Sequence, residues 1–443
     1  MSDHERNPAA PRLRTWPTWP APGVPVAIEE WRNPRKPESG AGASLVRSAG
    51  IVAIAFVLSR VLGLVREIIL SRMFGTSPEY SAYVSAFRVP DLLFLIIMAG
   101  SFGSAFIPVF SGLMGKGDRA DAWRLASTVL NLSAIVLAVA GALAFVFAGP
   151  IVTGIVARGA APEVQEITVN CMRILLLSPV FLGLGIAAKG ILEGQDRFTL
   201  PAFAPVVYNV ATILGALLLG PRLGVYGVAI GVVAGALCHL AIQVPGLVAS
   251  GLAWRPAVDL SAPGLKEVGR LLGPRVIGQA AFQINFIAVT SLAWRSGEQS
   301  VSALNYAWQL LMLPPGVLAL SISTVVFPTM ARLWEAGDRA GMRAAFGRAL
   351  KPLLFLSAPA AVALFFFRTS IVQTLFQGGA FTGESTKLVA APLAWFAAGL
   401  VAYAAVEVLT RAFYAMHDTV TPVAAGIAII VLNIARGAAL VER

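Results

Sequence analysis

The sequence predicts an all-α polytopic membrane protein, two parallel six-helix repeats around a central cavity, with the second repeat truncated so that about 11 transmembrane helices are present. Three observations predict it: a composition too apolar for a soluble core, long unbroken apolar runs, and an internal repeat. Of 443 residues, 57% are hydrophobic and 13% charged, whereas soluble domains carry about 25% charged residues. Each membrane span needs about 20 mostly apolar residues. The runs, such as 125–151, are long and continuous rather than alternating, so the spans are helices and not barrel strands.

Eleven apolar segments follow one another at 48–71, 82–111, 125–151, 166–191, 199–220, 223–250, 268–293, 301–331, 348–367, 388–414 and 420–440. Residues 1–45 precede them, rich in Pro, Ala and Arg, with no span-length apolar run and no signal-peptide stretch. This composition predicts a disordered cytoplasmic tail, in which Trp16, Trp19 and Trp31 could touch the membrane surface. The first bundle is expected over 46–252 and the second over 253–443. Most Lys and Arg outside the spans lie in the tail and in the loops on its side of the membrane. The positive-inside rule therefore places the N-terminus in the cytoplasm. It also accounts for the net charge of +11 without a nucleic-acid partner.

The repeat is visible in motifs. Phe106-Ile-Pro108 and then Gly117-Asp118-Arg119-Ala120 match Val326-Phe-Pro328 and then Gly337-Asp338-Arg339-Ala340, 220 residues later. Gly159-Ala160 and Gly379-Ala380 keep the offset. Asp196, Thr199 and Pro201 match Asp418, Thr421 and Pro422 at 221 to 222. Six segments separate the copies, so both halves enter the membrane with the same orientation, an architecture of transporters with the substrate between the halves. A complete second half needs a twelfth segment.

The polar residues inside the spans are the candidates for function. Arg60 and Arg66 are six apart in the first segment, about 9 Å along a helix axis and roughly 120° around it. An Arg at mid-membrane costs roughly 2.5 kcal/mol or more unless it is paired or faces water, so both are expected to face a cavity, with Glu67 beside them. Arg88 precedes Pro90-Asp91 in the second segment, and either pairs with Asp91 or joins the cavity. Arg173, near a segment end, is expected to snorkel or pair. Arg275, Gln279, Gln283 and Asn285 make a polar stripe in the seventh segment. Asn305 and Gln309 repeat the one-turn spacing in the eighth, where interhelical hydrogen bonds compete with ligand contact. Cys171 and Cys238 sit in apolar runs as small core residues, and His4, His239 and His417 are too scattered to suggest a metal site. No nucleophile–base pair, Walker motif or phosphate loop stands out, which favours a transporter over an enzyme.

The chain also resembles a known family. Ser59-Arg60-Val61-Leu62-Gly63 with Arg66 and Phe74-Gly75 is similar to the signature start of the MurJ (MviN) lipid II flippases, in the multidrug/oligosaccharidyl-lipid/polysaccharide exporter superfamily. Ala86-Phe-Arg-Val-Pro90, Gly103-Ser-Ala-Phe-Ile-Pro108, Pro201-Ala-Phe-Ala-Pro205 with Asn209, Leu313-Pro314-Pro-Gly316-Val317, Leu375-Phe-Gln-Gly-Gly-Ala-Phe381 and Thr421-Pro422 extend the resemblance over roughly residues 45–435. It implies two six-helix halves around a cationic cavity. It further implies alternating-access movement of lipid II, the undecaprenyl-pyrophosphate-linked peptidoglycan precursor, across the bacterial inner membrane for cell-wall synthesis. Arginine forks suit a pyrophosphate. The resemblance carries Arg60 and Arg66 over as the family's first-helix arginines, with Glu67 in place of its acid, and the substrate-binding candidates are these three with Arg88, Arg275, Gln283 and Gln309. Membrane lipids and cell-wall synthesis proteins are the expected neighbours. No cofactor is expected, with drive from the membrane potential or a monovalent ion. Phe94, Ala99 and Gln309 stand where the family often has Arg, an acid and Arg. The alternatives are export of another polyprenyl-linked oligosaccharide, drug–cation antiport, which usually wants membrane carboxylates, and a polytopic membrane enzyme.

Overall fold

The computed structural model describes residues 41–97, 102–418 and 420–441, and its compact body is Gly50–Arg443. Residues 1–40, and with them Trp16, Trp19, Trp31 and His4, lie outside the described residues. The described elements are helical, with one isolated bridge between Gly378 and Phe381. In chain order they are α1 (Ala41–Phe74), α2 (Pro78–Ala86), α3 (Arg88–Ile97), α4 (Phe102–Gly115), α5 (Arg119–Val146), α6 (Ala148–Ile151) with a π turn at Val152–Val156, α7 (Pro162–Leu175), α8 (Ser178–Glu193), α9 (Thr199–Leu223), α10 (Val225–Ala241) and α11 (Val244–Ala249). The second half continues with α12 (Leu265–Ser296), α13 (Ser300–Leu311), α14 (Leu313–Glu335), α15 (Arg339–Phe366), α16 (Arg368–Phe376), α17 (Gly383–Ala415) and α18 (Val420–Val441).

Seven described stretches of helix are long and apolar enough to cross a membrane. The differences from the eleven apolar segments have physical causes. The segment at 82–111 breaks at Phe87 between α2 and α3, and those at 166–191, 223–250 and 301–331 each divide in two. Prolines account for the breaks at 87, 176–177, 242–243 and 312. Pro90, Pro179, Pro245 and Pro314 lack the N–H that would bond the carbonyl four residues earlier. At Pro179 the loss is repaired locally, because the Ser178 hydroxyl donates to the freed Leu175 carbonyl at 2.7 Å. Hydropathy does not register such breaks, since the flanking residues stay apolar.

The repeat is built into the backbone. In each Gly-Asp-Arg motif the glycine has positive φ, +85° at Gly117 and +73° at Gly337, which only glycine adopts freely. The same amides close both turns: Asp118 N donates to Leu113 O at 3.1 Å, and Asp338 N to Leu333 O at 2.9 Å. Each turn launches a 28-residue helix, α5 or α15. The later match shifts by one residue. Asp196 (φ 58°) shares its backbone turn with His417 (φ 61°), not Asp418, so Arg197 is the counterpart of Asp418.

Two kinds of contact position the site. Within the first half, α9 and α10 pack through glycine. A Cβ on Gly215 would lie 2.3 Å from the Gly231 Cα, the close approach that small residues allow in membranes. Between the halves, a seal joins the C-terminal end of α1 and the start of α2 to α13, α16 and α17. Tyr80 stacks on Tyr306 at 5.2 Å, and the Tyr306 hydroxyl donates to Gly75 O at 3.1 Å. Thr76 and Ser385 pair hydroxyl to hydroxyl at 2.9 Å. The Ala380 amide donates to Arg72 O at 2.8 Å, and Ser302 N donates to Ser81 Oγ at 3.2 Å.

Candidate functional site

Beneath this seal a cavity of about 510 Å³ opens between the halves. Helix α1 supplies Ser59, Arg60, Gly63, Arg66 and Glu67; α8 supplies Lys189 and Glu193; α9 supplies Tyr208 and Asn209; Gln309 and Met312 face them from the second half. Its volume lies within the range of small-ligand sites. The helical spacing that puts Arg60 and Gly63 on one face brings that face of α1 to the cavity.

The two arginines of α1 are held differently. Arg66 is fixed: Nη2 donates to Glu67 Oε1 at 2.8 Å, Nε to the same oxygen at 3.3 Å, and Nη1 to Asn209 Oδ1 at 3.3 Å. Glu67, buried, also accepts from the Tyr80 hydroxyl at 3.3 Å, which ties the site to the seal. Asn209 is aimed in turn, its Nδ2 donating to Pro205 O at 3.0 Å and Ser59 O at 3.3 Å. Arg60 is exposed, its guanidinium 5.2 Å from the centre of the Phe56 ring, with no ion pair among the described residues. Lys189 lies 3.7 Å from Glu193. The lining thus carries three cations and two carboxylates. Each carboxylate is matched to a cation, and Arg60 is left over. Such a site can take an anion, with Arg60 offering a free planar fork and Arg66 a second one that is already oriented.

Of the other sequence candidates, Gln309 lines the cavity, but Arg88 and Gln283 do not. Arg88 turns to α12, where its Nε donates to Thr290 Oγ1 at 2.7 Å and its guanidinium lies 5.3 Å from the centre of the Phe286 ring. Gln283 is buried on α12. The side chains of Arg275 and Gln279 lie outside the described residues, as does Ala99. Asn285 accepts from Asn433 Nδ2 at 2.9 Å, an interhelical amide bond. Arg173 packs its guanidinium 5.2 Å from the centre of the Phe145 ring. Phe94 packs into the first-half core. Lys189 and Tyr208 were missed. Lys189 falls at a segment end and reads as a loop charge, and a tyrosine in an apolar run gives no signal of its own.

This fold, with a polar cavity between two halves, defines a multi-pass membrane transporter. An inward-facing multidrug resistance MATE family transporter of the MOP superfamily matches it with a TM-score of 0.71 at 17% identity, over 85% of this chain and 86% of that one. A structure described as "Lipid II flippase MurJ, inward closed conformation" matches with a TM-score of 0.74 at 26% identity, over 86% and 79%. Residues 70–443 match the family model "Lipid II flippase MurJ". The lipid II flippase MurJ of Burkholderia cenocepacia is 34% identical over 402 residues, 88% of this chain and 77% of that protein. A probable lipid II flippase MurJ of Vibrio cholerae is 29% identical over 400 residues, 88% and 76%. The chain belongs to the lipid II flippase MurJ family.

Proposed function

We propose that the protein flips lipid II, moving its pyrophosphate-linked headgroup from the cytoplasmic to the outer leaflet of the bacterial inner membrane for cell-wall synthesis. The observation that carries this reading is the cavity between the halves, with Arg66 braced and Arg60 without an ion pair among the described residues. The headgroup is anionic and hydrated, so it needs a wet basic path, while its polyprenyl tail can stay in lipid. Arg60 engages the pyrophosphate first and Arg66 completes the clamp. Gln309 contacts the sugar–peptide portion from the other half. Glu67 holds Arg66 in place of the substrate when the cavity is empty.

With the N-terminus cytoplasmic, the seal lies at the outer side and the cavity toward the cytoplasm. The state described is then an inward one. Alternating access requires the Tyr80–Tyr306 stack and the Thr76–Ser385 pair to part as the halves rock. The membrane potential or a monovalent ion supplies the drive. Family membership favours a transporter without catalytic chemistry. A second reading, export of another polyprenyl-linked oligosaccharide, is favoured by Gln309, a neutral amide at a cavity position where the family often has a cation.

The test is rescue of a MurJ-depleted bacterium by the full-length protein, with lipid II translocation as readout. Rescue is expected. Failure by a well-expressed protein would overturn the reading, and translocation of a different lipid-linked glycan would support the second.

A further inference from the structure

A second basic concavity lies away from the central cavity, where the start of α5, the α8–α9 turn and the linker after α11 meet. We propose that it binds a phosphate-bearing anion, the headgroup of an anionic membrane phospholipid. The cleft measures about 570 Å³ and is lined by Arg119, Arg124, Arg197 and Arg255, with Trp123 on its wall. Arg124 is spoken for. It bonds Asp121 at 2.9 Å and Asp259 at 2.5 Å, and so pins the linker to α5. Arg119, Arg197 and Arg255 are exposed and have no acidic partner among the described residues. They come from three separate segments and converge on one hollow, where their mutual repulsion is relieved by an anion.

A solvated cationic face, of the kind the positive-inside bias produces, is the ordinary explanation for such residues. Two observations favour a built site. The first is the repeat-related pair of turns in the second half, where an acid stands in place of one of these arginines. There Arg339 packs against Trp334 at 5.8 Å. Asp418 stands where the first half has Arg197, and it accepts from Thr421 N at 2.9 Å and Val420 N at 3.1 Å. His417 pairs with Glu335 at 2.8 Å. The shared turn therefore does not require an arginine at position 197. The second observation favours a lipid over a soluble phosphate. The linker beside the hollow exposes Trp254 by 52% and Leu260 by 69%, apolar side chains suited to the headgroup boundary. Basic pockets at the cytoplasmic ends of membrane helices hold anionic headgroups in this way.

The test uses the purified full-length protein in phosphatidylcholine nanodiscs doped with phosphatidylglycerol, with retained lipid read by native mass spectrometry. Inorganic pyrophosphate binding is measured separately by calorimetry. Each basic side chain near an anionic headgroup contributes about fivefold. The triple variant Arg119→Gln, Arg197→Gln, Arg255→Gln should therefore hold phosphatidylglycerol on the order of 100-fold more weakly. The matched second-half variant Arg332→Gln, Arg339→Gln, Arg343→Gln carries the same charge change and should lose little. A first-half variant that folds and keeps wild-type lipid retention overturns the proposal, as does equal loss in both triple variants. If the glutamine variant does not fold, the Arg-to-Lys triple variant should keep most of the binding, and its complete loss also overturns the proposal. Pyrophosphate binding with the same arginine dependence, without lipid retention, keeps the site but overturns its assignment to a lipid.

Discussion

The two halves share a scaffold and differ in chemistry. Both Gly-Asp-Arg turns close through the same backbone bonds and launch helices of 28 residues. Yet the cations of the central cavity, Arg60, Arg66 and Lys189, all come from the first half, while the second half faces them with Gln309 and Met312. The packing differs as well. In the first half α9 and α10 meet backbone to backbone at Gly215 and Gly231, whereas Gly399 on the long helix α17 has nothing within 4 Å of where a Cβ would lie. Two halves with matching turns thus meet at one seal, and the cations of the cavity belong to the first of them.

The largest expected effect tests whether the halves move apart. Cysteines at Thr76 and Ser385, whose hydroxyls are 2.9 Å apart, should form a cross-link that stops translocation completely and is reversed by reductant. Continued transport by the cross-linked protein would mean that the seal is not a gate.

Next comes packing. Gly215→Ala forces a methyl against the Gly231 backbone and should destabilise the first half by about 1–3 kcal/mol, read as a lower thermal midpoint. Gly399→Ala meets open space and gains helix propensity, so its midpoint should hold or rise. Equal losses at both sites would erase the contrast between the halves.

A smaller effect is expected at the seal itself. Tyr306→Phe removes the bond to Gly75 O and should cost about 1 kcal/mol, with a shift of the conformational balance toward the opened state in spin-label distances.

The smallest effect concerns pH and two partly exposed carboxylates. Hydrogen bonds from Ser261, then the Arg124 guanidinium, hold the Asp259 carboxyl down to about 2. Asp418 is lowered by its bonds to Thr421 and Val420. A depressed carboxyl stabilises the fold above its unfolded value and loses that contribution as pH falls through the folded one. Hydrogen-exchange protection of the 253–264 linker should therefore persist from pH 7 to 4 and fall only as pH approaches about 2. Loss of protection between pH 6 and 5 would contradict this.

Much of the fold was legible because membrane helices follow hydropathy and because the Gly-Asp-Arg turns recur with a fixed offset. The proline breaks were not, since a missing backbone donor at Pro90 or Pro179 leaves the apolar run unchanged. The register of the later match was off by one, because side-chain identity favoured Asp418 whereas backbone shape selects His417. In the site, Arg60, Arg66, Glu67 and Gln309 were legible as polar residues with a cost to bear. Arg88 met that cost by bonding Thr290 outside the cavity, a partner 202 residues away that no local spacing could reveal. Asn209, noticed only within a motif, proves to be the group that braces Arg66.

The most direct test of the central cavity as the headgroup site is lipid II translocation by Arg60→Ala and Arg66→Ala variants in a MurJ-depleted bacterium, at matched protein levels. Both should fail to translocate while the wild-type protein succeeds. Wild-type translocation by both variants would show that these arginines only satisfy the membrane and do not carry the substrate.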